Sequence, residues 1–350
     1  MFQLGEKIKF TLFGSSHGPY VGCILEGIPV GMSIDLPSIS KYMALRKPRS
    51  GIGTDRKEPD TPEFVSGVRD GKTDGTPIII RIANKNVRDS DYSEYEYKPR
   101  PGHADLPAAA KGINYLGGGA FSGRMTAAIV AGGSIARQFV LQYGIAISAH
   151  TKSINDIMDT EECSYGRSLN SESYATRACT AELDKNMRDK IENAAEMGDS
   201  VGGITECIVS GLPIGFGGIW FEALDSEIAR AMFSIPACKG IEFGKGFALA
   251  DMKGSESNDQ YYYNRGIKTR TNNMGGIVGG MSDGAPMVFR CVFKPTPSIS
   301  RLQSTVDLRT GETASIRVEG RHDPCIVPRV AVVVESMTAL VLADQIKRDY

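Results

Sequence analysis

Residues 10–22 read FTLFGSSHGPYVG, and the element on the far side of the glycine turn in this stretch decides between two folds. Gly14-Ser15-Ser16-His17-Gly18 fits G-x-S-x-G, the nucleophile elbow of serine hydrolases, where a strand must run straight into a helix so that a strained turn lifts the serine above the sheet. Lys7–Phe13 (KIKFTLF) alternates as a strand does. The segment after the turn carries Pro19, Gly22, Gly27, Pro29 and Gly31 among β-branched residues, so it reads as a second strand. The helix that a hydrolase elbow needs is missing. The turn leaves two candidates side by side, Ser16 as a nucleophile and His17 as an acid or base.

A chain of 350 residues can bury a large core as one elaborate domain or two. Its formal net charge of −1 gives no global attraction to nucleic acid or to an anionic membrane. No apolar run approaches a membrane-spanning length, and MFQLGEKIKF is not a signal peptide. The seven cysteines (23, 163, 179, 207, 238, 291, 325) show no C-x-x-C spacing and suit a reducing, cytoplasmic setting better than a disulfide framework or a zinc site. Glycine is the excess residue, clustered at 117–119, 132–133, 198–203 and 272–284. Such clusters serve turns and tight packing, or close approach of backbone to a ligand.

Further strands are expected at Ile78–Ala83, Ile204–Ser210 and Met287–Phe293, and helices at Arg124–Tyr143, Glu182–Met197 and Val333–Arg348. Irregular charged stretches fall at 45–62, 84–101 and 253–271. Strands and helices do not alternate strictly, which points to a mixed α+β protein.

Three of the four histidines, His17, His103 (in RPGHAD) and His322 (in GRHDP), sit in turns beside Gly, Pro, Arg or Asp, where an imidazole can do acid–base work. His150, at the end of a strand-like run, reads as structural. None of the four has metal-site spacing. Residues 41–57 hold Lys41, Arg46, Lys47, Arg49, Arg56 and Lys57 against a single Asp55. With Arg124, Arg321 and Arg329 they suggest a site for a small phosphate or carboxylate, although a solvated basic loop would explain the run equally well. Neither a P-loop nor a G-x-G-x-x-G fingerprint occurs. A phosphate could instead rest on the glycine loop that leads into the Arg124 helix.

Nine segments in order, FGSSHG (13–18), RKEPD (56–60), RPGHAD (100–105), GGGAFSGRMTA (117–127), GDSVGG (198–203), SIPACKGIEFG (234–244), TRTNNMGGIVGG (269–280), FKPTPSI (293–299) and GRHDPCIVPR (320–329), resemble chorismate synthase across nearly the whole chain. The resemblance implies a lyase that converts 5-enolpyruvylshikimate 3-phosphate to chorismate and phosphate by 1,4-elimination, the last step of the shikimate pathway to aromatic amino acids. It implies a requirement for reduced FMN, supplied by an external flavin reductase or an NADPH-linked reductant. The flavin lends electron density that helps phosphate leave, and the protein mainly positions and tunes it. His17 would protonate the departing phosphate, His103 would sit near flavin N1, and Asp323 would relay the proton through flavin N5. Phe121, Ser122, Pro236, Ala237, Gly279, Lys294, Pro295, Thr296, Pro297, Ser298 and Arg321 would contact the flavin. Arg46, Arg49, Arg124 and Arg329 would face the anionic substrate, and no metal is implied. Ser16 becomes a turn residue, so its removal would spare activity.

The family's fold implies a β-α-β sandwich of antiparallel-rich sheets and helices, formed by residues 1–350 as a single domain and assembled as a homotetramer. Three residues depart from the family's commoner pattern: Ser15 stands for a Glu in GESHG, while Ala120 and Met125 stand for Arg and Glu in GGGRSSARET. They are what would favour a non-catalytic binding protein, against which intact His17, His103 and Asp323 argue.

Overall fold

The computed structural model describes residues 2–49, 52–54, 58–85, 95–162, 164–318, 320 and 322–349. Arg321, Arg56, Lys57 and Cys163 lie outside the described residues. The sequence 10–22 forms the expected hairpin: strand Lys9–Gly14 pairs antiparallel with Tyr20–Glu26. Phe2–Leu4, Ile78–Ala83 and Glu63–Ser66 complete a five-stranded antiparallel sheet in the order 2–4, 9–14, 20–26, 78–83, 63–66. A second antiparallel sheet runs Cys238–Phe243, Met287–Phe293, Gly203–Ser210, Ala146–Ile154, Ile157–Met158.

Two helices fill the space between the sheets. Thr126–Leu141 packs on the first sheet, Val327–Asp349 packs on the second, and the two pack on each other. Nearly every residue from Val327 to Ile346 is buried, including the polar Glu335, Ser336, Thr338, Asp344 and Gln345. The Ala and Gly content of the first helix permits this close packing: a Cβ at Gly133 would overlap the Ser336 side chain, and one at Gly132 would stand 2.6 Å from the Phe10 ring. Hydroxyls inside the layer bond back to their own helix, Ser134 to the Val130 carbonyl and Ser336 to that of Val332, so they leave no unpaired polar group. Buried Asp344 accepts the backbone N–H groups of Glu6, Lys7 and Ile8 and ties the far helix to the entry of the hairpin. The result is the α+β, β-α-β sandwich expected from sequence.

One stretch departs from expectation. Residues 253–271 are ordered as a short helix, Gly254–Ser257, and a hairpin of Tyr261–Tyr263 with Ile267–Thr269. Its turn puts Arg265 (φ 53°) and Gly266 (φ 139°) in positive-φ conformations, a turn signal concealed by the surrounding charges. Among the described residues, no helix is long and apolar enough to cross a membrane.

Candidate active site

The GSSHG turn closes on itself and then on the glycine loop. The Gly18 N–H donates to Ser15 Oγ at 3.0 Å, which gives the serine in the place of the commoner Glu a role in the turn. Ser16 is fully buried, and its Oγ lies 2.9 Å from the Gly117 carbonyl and 3.0 Å from His17 Nδ1. A carbonyl can only accept, so the serine proton goes to Gly117 and His17 Nδ1–H donates to Oγ. That fixes the tautomer of the neutral ring, with the proton on Nδ1. Ser16 is therefore more than a turn residue, because it orients the imidazole. No elbow geometry supports it as a nucleophile.

The three glycines at 117–119 all have positive φ (62°, 85° and 47°). A Cβ on Gly117 would fall inside the His17 ring. Two of the loop's carbonyls serve the turn, Gly117 toward Ser16 Oγ and Gly119 toward the Ser16 N–H. The loop expected as a candidate phosphate nest is here a seat for His17.

Asn84, just past the strand Ile78–Ala83, joins the turn to the cations. Its Nδ2 donates to the carbonyls of Ser15 (3.0 Å) and Gly18 (2.7 Å), and its Oδ1 accepts from Arg124 Nε (2.8 Å). Arg124, at the entry of the central helix, also ion-pairs with Asp60, and Arg46 pairs with the other oxygen of the same carboxylate. All three side chains are buried. Burial opposes ionisation of Asp60, but Arg46 and Arg124 outweigh it and hold the carboxyl below its usual range. Burial pulls the Arg46 guanidinium down to about 10, against the opposing pull of Asp60. Arg329 donates to the Arg46 carbonyl at 3.0 Å and ion-pairs with Asp323, which also accepts the Thr54 N–H at 2.8 Å. Arg49 is turned to the Tyr174 carbonyl at 2.8 Å and that of Glu172 at 3.3 Å. Within the described part of the basic run, Arg46 and Arg49 are built into the protein while Lys41 is exposed, and Asp60, beyond the run's end, pairs with Arg46.

His103 sits in a loop of its own, 3.7 Å from Asp105. The Arg100–Asp105 ion pair, buried and two-bonded at 2.7 and 2.9 Å, locks the loop that carries it. Burial, then the positive charge of Arg100, push His103 down to about 4; Asp105 opposes this, and Lys294 and His322 add to it. His103 is therefore a neutral imidazole at pH 7. Lys294 Nζ donates to the Gly102 carbonyl at 2.5 Å, so the 294–298 loop and the His103 loop meet. One chain of hydrogen bonds and ion pairs runs from Asp323 through Arg329, Arg46, Asp60, Arg124 and Asn84 to the turn that carries His17.

The described residues expected to hold a flavin differ in what they already bond. Thr296 Oγ1 is buried without a hydrogen-bond partner among the described residues, a costly state that a bound polar group would relieve. Ala237 takes φ 70°, which a side-chain-bearing residue rarely adopts, and its carbonyl accepts the Lys294 N–H at 3.1 Å. Gly279 has φ 63° and open space where a Cβ would be. Phe121 is partly exposed and Ser122 Oγ caps the following turn through the Arg124 N–H. Pro295 is exposed, Pro297 adjoins Gly102, and Ser298 is buried. Ala120 and Met125, two of the three departures, line one cleft of about 330 Å³ with Ile129 and Pro236, so both changes fall in one place.

His150 is buried inside its strand, 3.1 Å from Ser168 Oγ and 3.4 Å from Glu206, as a structural residue would be. Its neighbours Asp159 and Cys179 bring ligand atoms within 4.8 Å of one another, but Asp159 is already bound by Arg167 through two bonds of 2.5 and 3.0 Å. Sequence reasoning missed Asn84, Asp60 and the orienting role of Ser16. The one local signal was Asp60, as the last residue of RKEPD.

A family model described as Chorismate synthase matches residues 8–346. Curated relatives named chorismate synthase include one from Pyrococcus abyssi, 44% identical over 346 residues and covering 98% of this chain and 96% of that protein. Another, from Methanosarcina mazei, is 43% identical over 349 residues, covering 98% and 95%. The chain belongs to the chorismate synthase family. A crystal structure of chorismate synthase superposes with a TM-score of 0.76 at 28% identity, covering 99% of this chain and 93% of that one. As a member of the chorismate synthase family the chain is a chorismate-forming lyase of the shikimate pathway, acting on a small molecule.

Proposed function

We propose that this enzyme releases phosphate from 5-enolpyruvylshikimate 3-phosphate by 1,4-elimination, with reduced FMN bound and His17 as the general acid. The observation that carries the reading is the fixed tautomer of His17: Nδ1–H is committed to Ser16, so Nε2 can hold a proton for a leaving phosphate oxygen. Arg329 would face a substrate bearing a phosphate and two carboxylates, whereas Arg124 and Arg46, buried on Asp60, and Arg49, turned to two backbone carbonyls, would add positive charge from behind and not by direct contact. Reduced FMN, when bound, supplies the electron density that lets phosphate leave. Thr296, Ser298, Lys294, Pro295, Pro297, Phe121, Ser122 and Gly279, with backbone at Pro236 and Ala237, would hold it, together with Arg321. A neutral His103 can donate or accept one hydrogen bond at the flavin without adding charge there. Asp323, held by Arg329 and Thr54, would accept the proton lost from the substrate ring.

Residues 1–350 act as one domain on this reading, since both sheets share one pair of central helices. The chain is proposed to be cytoplasmic, with reduced flavin coming from an external reductase, and to assemble as a homotetramer. Trp220, Phe221 and Phe247, exposed by 82, 91 and 87%, are apolar surface that such assembly would cover. The test is anaerobic: protein, substrate and chemically reduced FMN release chorismate and phosphate in equal amounts, and neither appears when FMN stays oxidised. Phosphate without chorismate would make the site a phosphatase and overturn the proposal.

A further inference from the structure

Asn84 has no place in the resemblance and none among the acid, base and cation groups. Among the described residues, it makes the one side-chain bridge between the His17 turn and the buried arginines. Its amide is fully committed in one orientation. The oxygen must face Arg124, which can only donate, and the NH₂ must face the carbonyls of Ser15 and Gly18, which can only accept. These two carbonyls flank Ser16 and His17, so the amide grips both ends of the segment that carries the imidazole. The chain is anchored there again by its backbone, where the Asn84 N–H donates to the Pro19 carbonyl at 3.0 Å.

We infer that Asn84 is the positioning residue of the active site, setting the His17 turn at a fixed place relative to Arg124. It touches no reacting atom on this assignment. It keeps the proton donor in one frame with the buried Arg124, whose three nitrogens bond Asn84, Asp60 and the Ala83 carbonyl, so that the leaving oxygen of a bound substrate meets Nε2 at one fixed place. A misplacement of about 1 Å at such a site can cost on the order of 100-fold in rate. The catalytic half of this inference rests on the reading of His17 as the acid; the half about turn geometry does not.

Asn84→Asp and Asn84→Ala separate the alternatives. The Asp variant keeps an acceptor for Arg124 and loses both donors to the turn; the Ala variant loses all three bonds. Hydrogen exchange of the 10–22 peptide, followed by mass spectrometry on protein without substrate or flavin, should speed up about tenfold or more in both variants, the scale expected for loss of two hydrogen bonds. In assays with reduced FMN, kcat should fall about 10- to 100-fold in both, with KM for substrate changed far less. Exchange at 10–22 matching the parent overturns the assignment, whatever happens to activity. Full activity in Asn84→Asp also overturns it, since holding Arg124 would then be all the residue does. Faster exchange with unchanged kcat would remove the catalytic half and leave Asn84 a structural tie. If instead the parent itself forms no chorismate, the proposed function fails while the exchange result stands.

Discussion

Gly117→Ala is expected to lower kcat for chorismate formation by roughly 10²- to 10⁴-fold, the range that a displaced general acid forfeits. The added methyl would overlap the His17 ring, and neither partner has room to yield. The imidazole is pinned by Ser16 on one side, and the glycine is one of three successive positive-φ residues. Alanine at φ 62° adds roughly 1–2 kcal/mol of backbone strain, so a modest loss of stability accompanies the loss of rate. A double variant distinguishes displacement of His17 from general damage to the loop. Combining Gly117→Ala with His17→Ala removes the clash, so the double variant should be no slower than His17→Ala alone. A further large loss in the double variant would mean that the loop has a second role in the reaction.

The second large effect is on stability. Asp60 is a buried carboxylate shared by two buried guanidinium groups, and removing its charge leaves both without their counterion. Breaking such a pair from one side costs about 3–5 kcal/mol, much more than an exposed ion pair contributes. Asparagine also tolerates the positive φ of 48° that this position requires, so Asp60→Asn tests charge and not backbone. The expected result is a lower urea midpoint at pH 7 with unchanged m-value. Because the folded-state pKa is lowered, the stabilisation is present above the unfolded value and is lost as pH falls through the folded one. The difference between parent and variant should therefore shrink in strong acid. A loss below about 1 kcal/mol at pH 7 would mean that the arginines find other partners.

The parts of this architecture legible in sequence are those set by neighbours along the chain. The hairpin at 10–22 follows from alternation and from prolines and glycines that forbid a helix, and the C-terminal helix from a long segment rich in Val, Ala and Leu with no glycine or internal proline after Pro328. The identity of His17 as the turn's working residue rested on nine ordered segments, since the pentapeptide alone fits a hydrolase equally well. The features that could not be read depend on residues brought together from afar. Ser16 meets Gly117 across 101 positions, Asn84 meets Ser15 across 69, and Arg124 meets Asp60 across 64. Nothing local in an asparagine after a strand announces two carbonyl acceptors and an arginine. The basic run at 41–57 was visible as charge, but only the fold reveals that Arg46 and Arg49 are built in and that Asp60 pairs with Arg46. The same holds for Ala120 and Met125, which are separate departures in sequence and neighbours on one cleft in space.

The assignment of His17 as acid, with Ser16 as its orienting partner, is tested most directly by single-turnover chorismate formation in Ser16→Ala and His17→Ala, with reduced FMN present and enzyme in excess over substrate. Loss of one orienting hydrogen bond should slow Ser16→Ala about tenfold, whereas His17→Ala should fall by roughly 10²- to 10⁴-fold, as removal of a general acid does. Complete inactivity of Ser16→Ala beside an active His17→Ala would contradict the account and return the turn to Ser16.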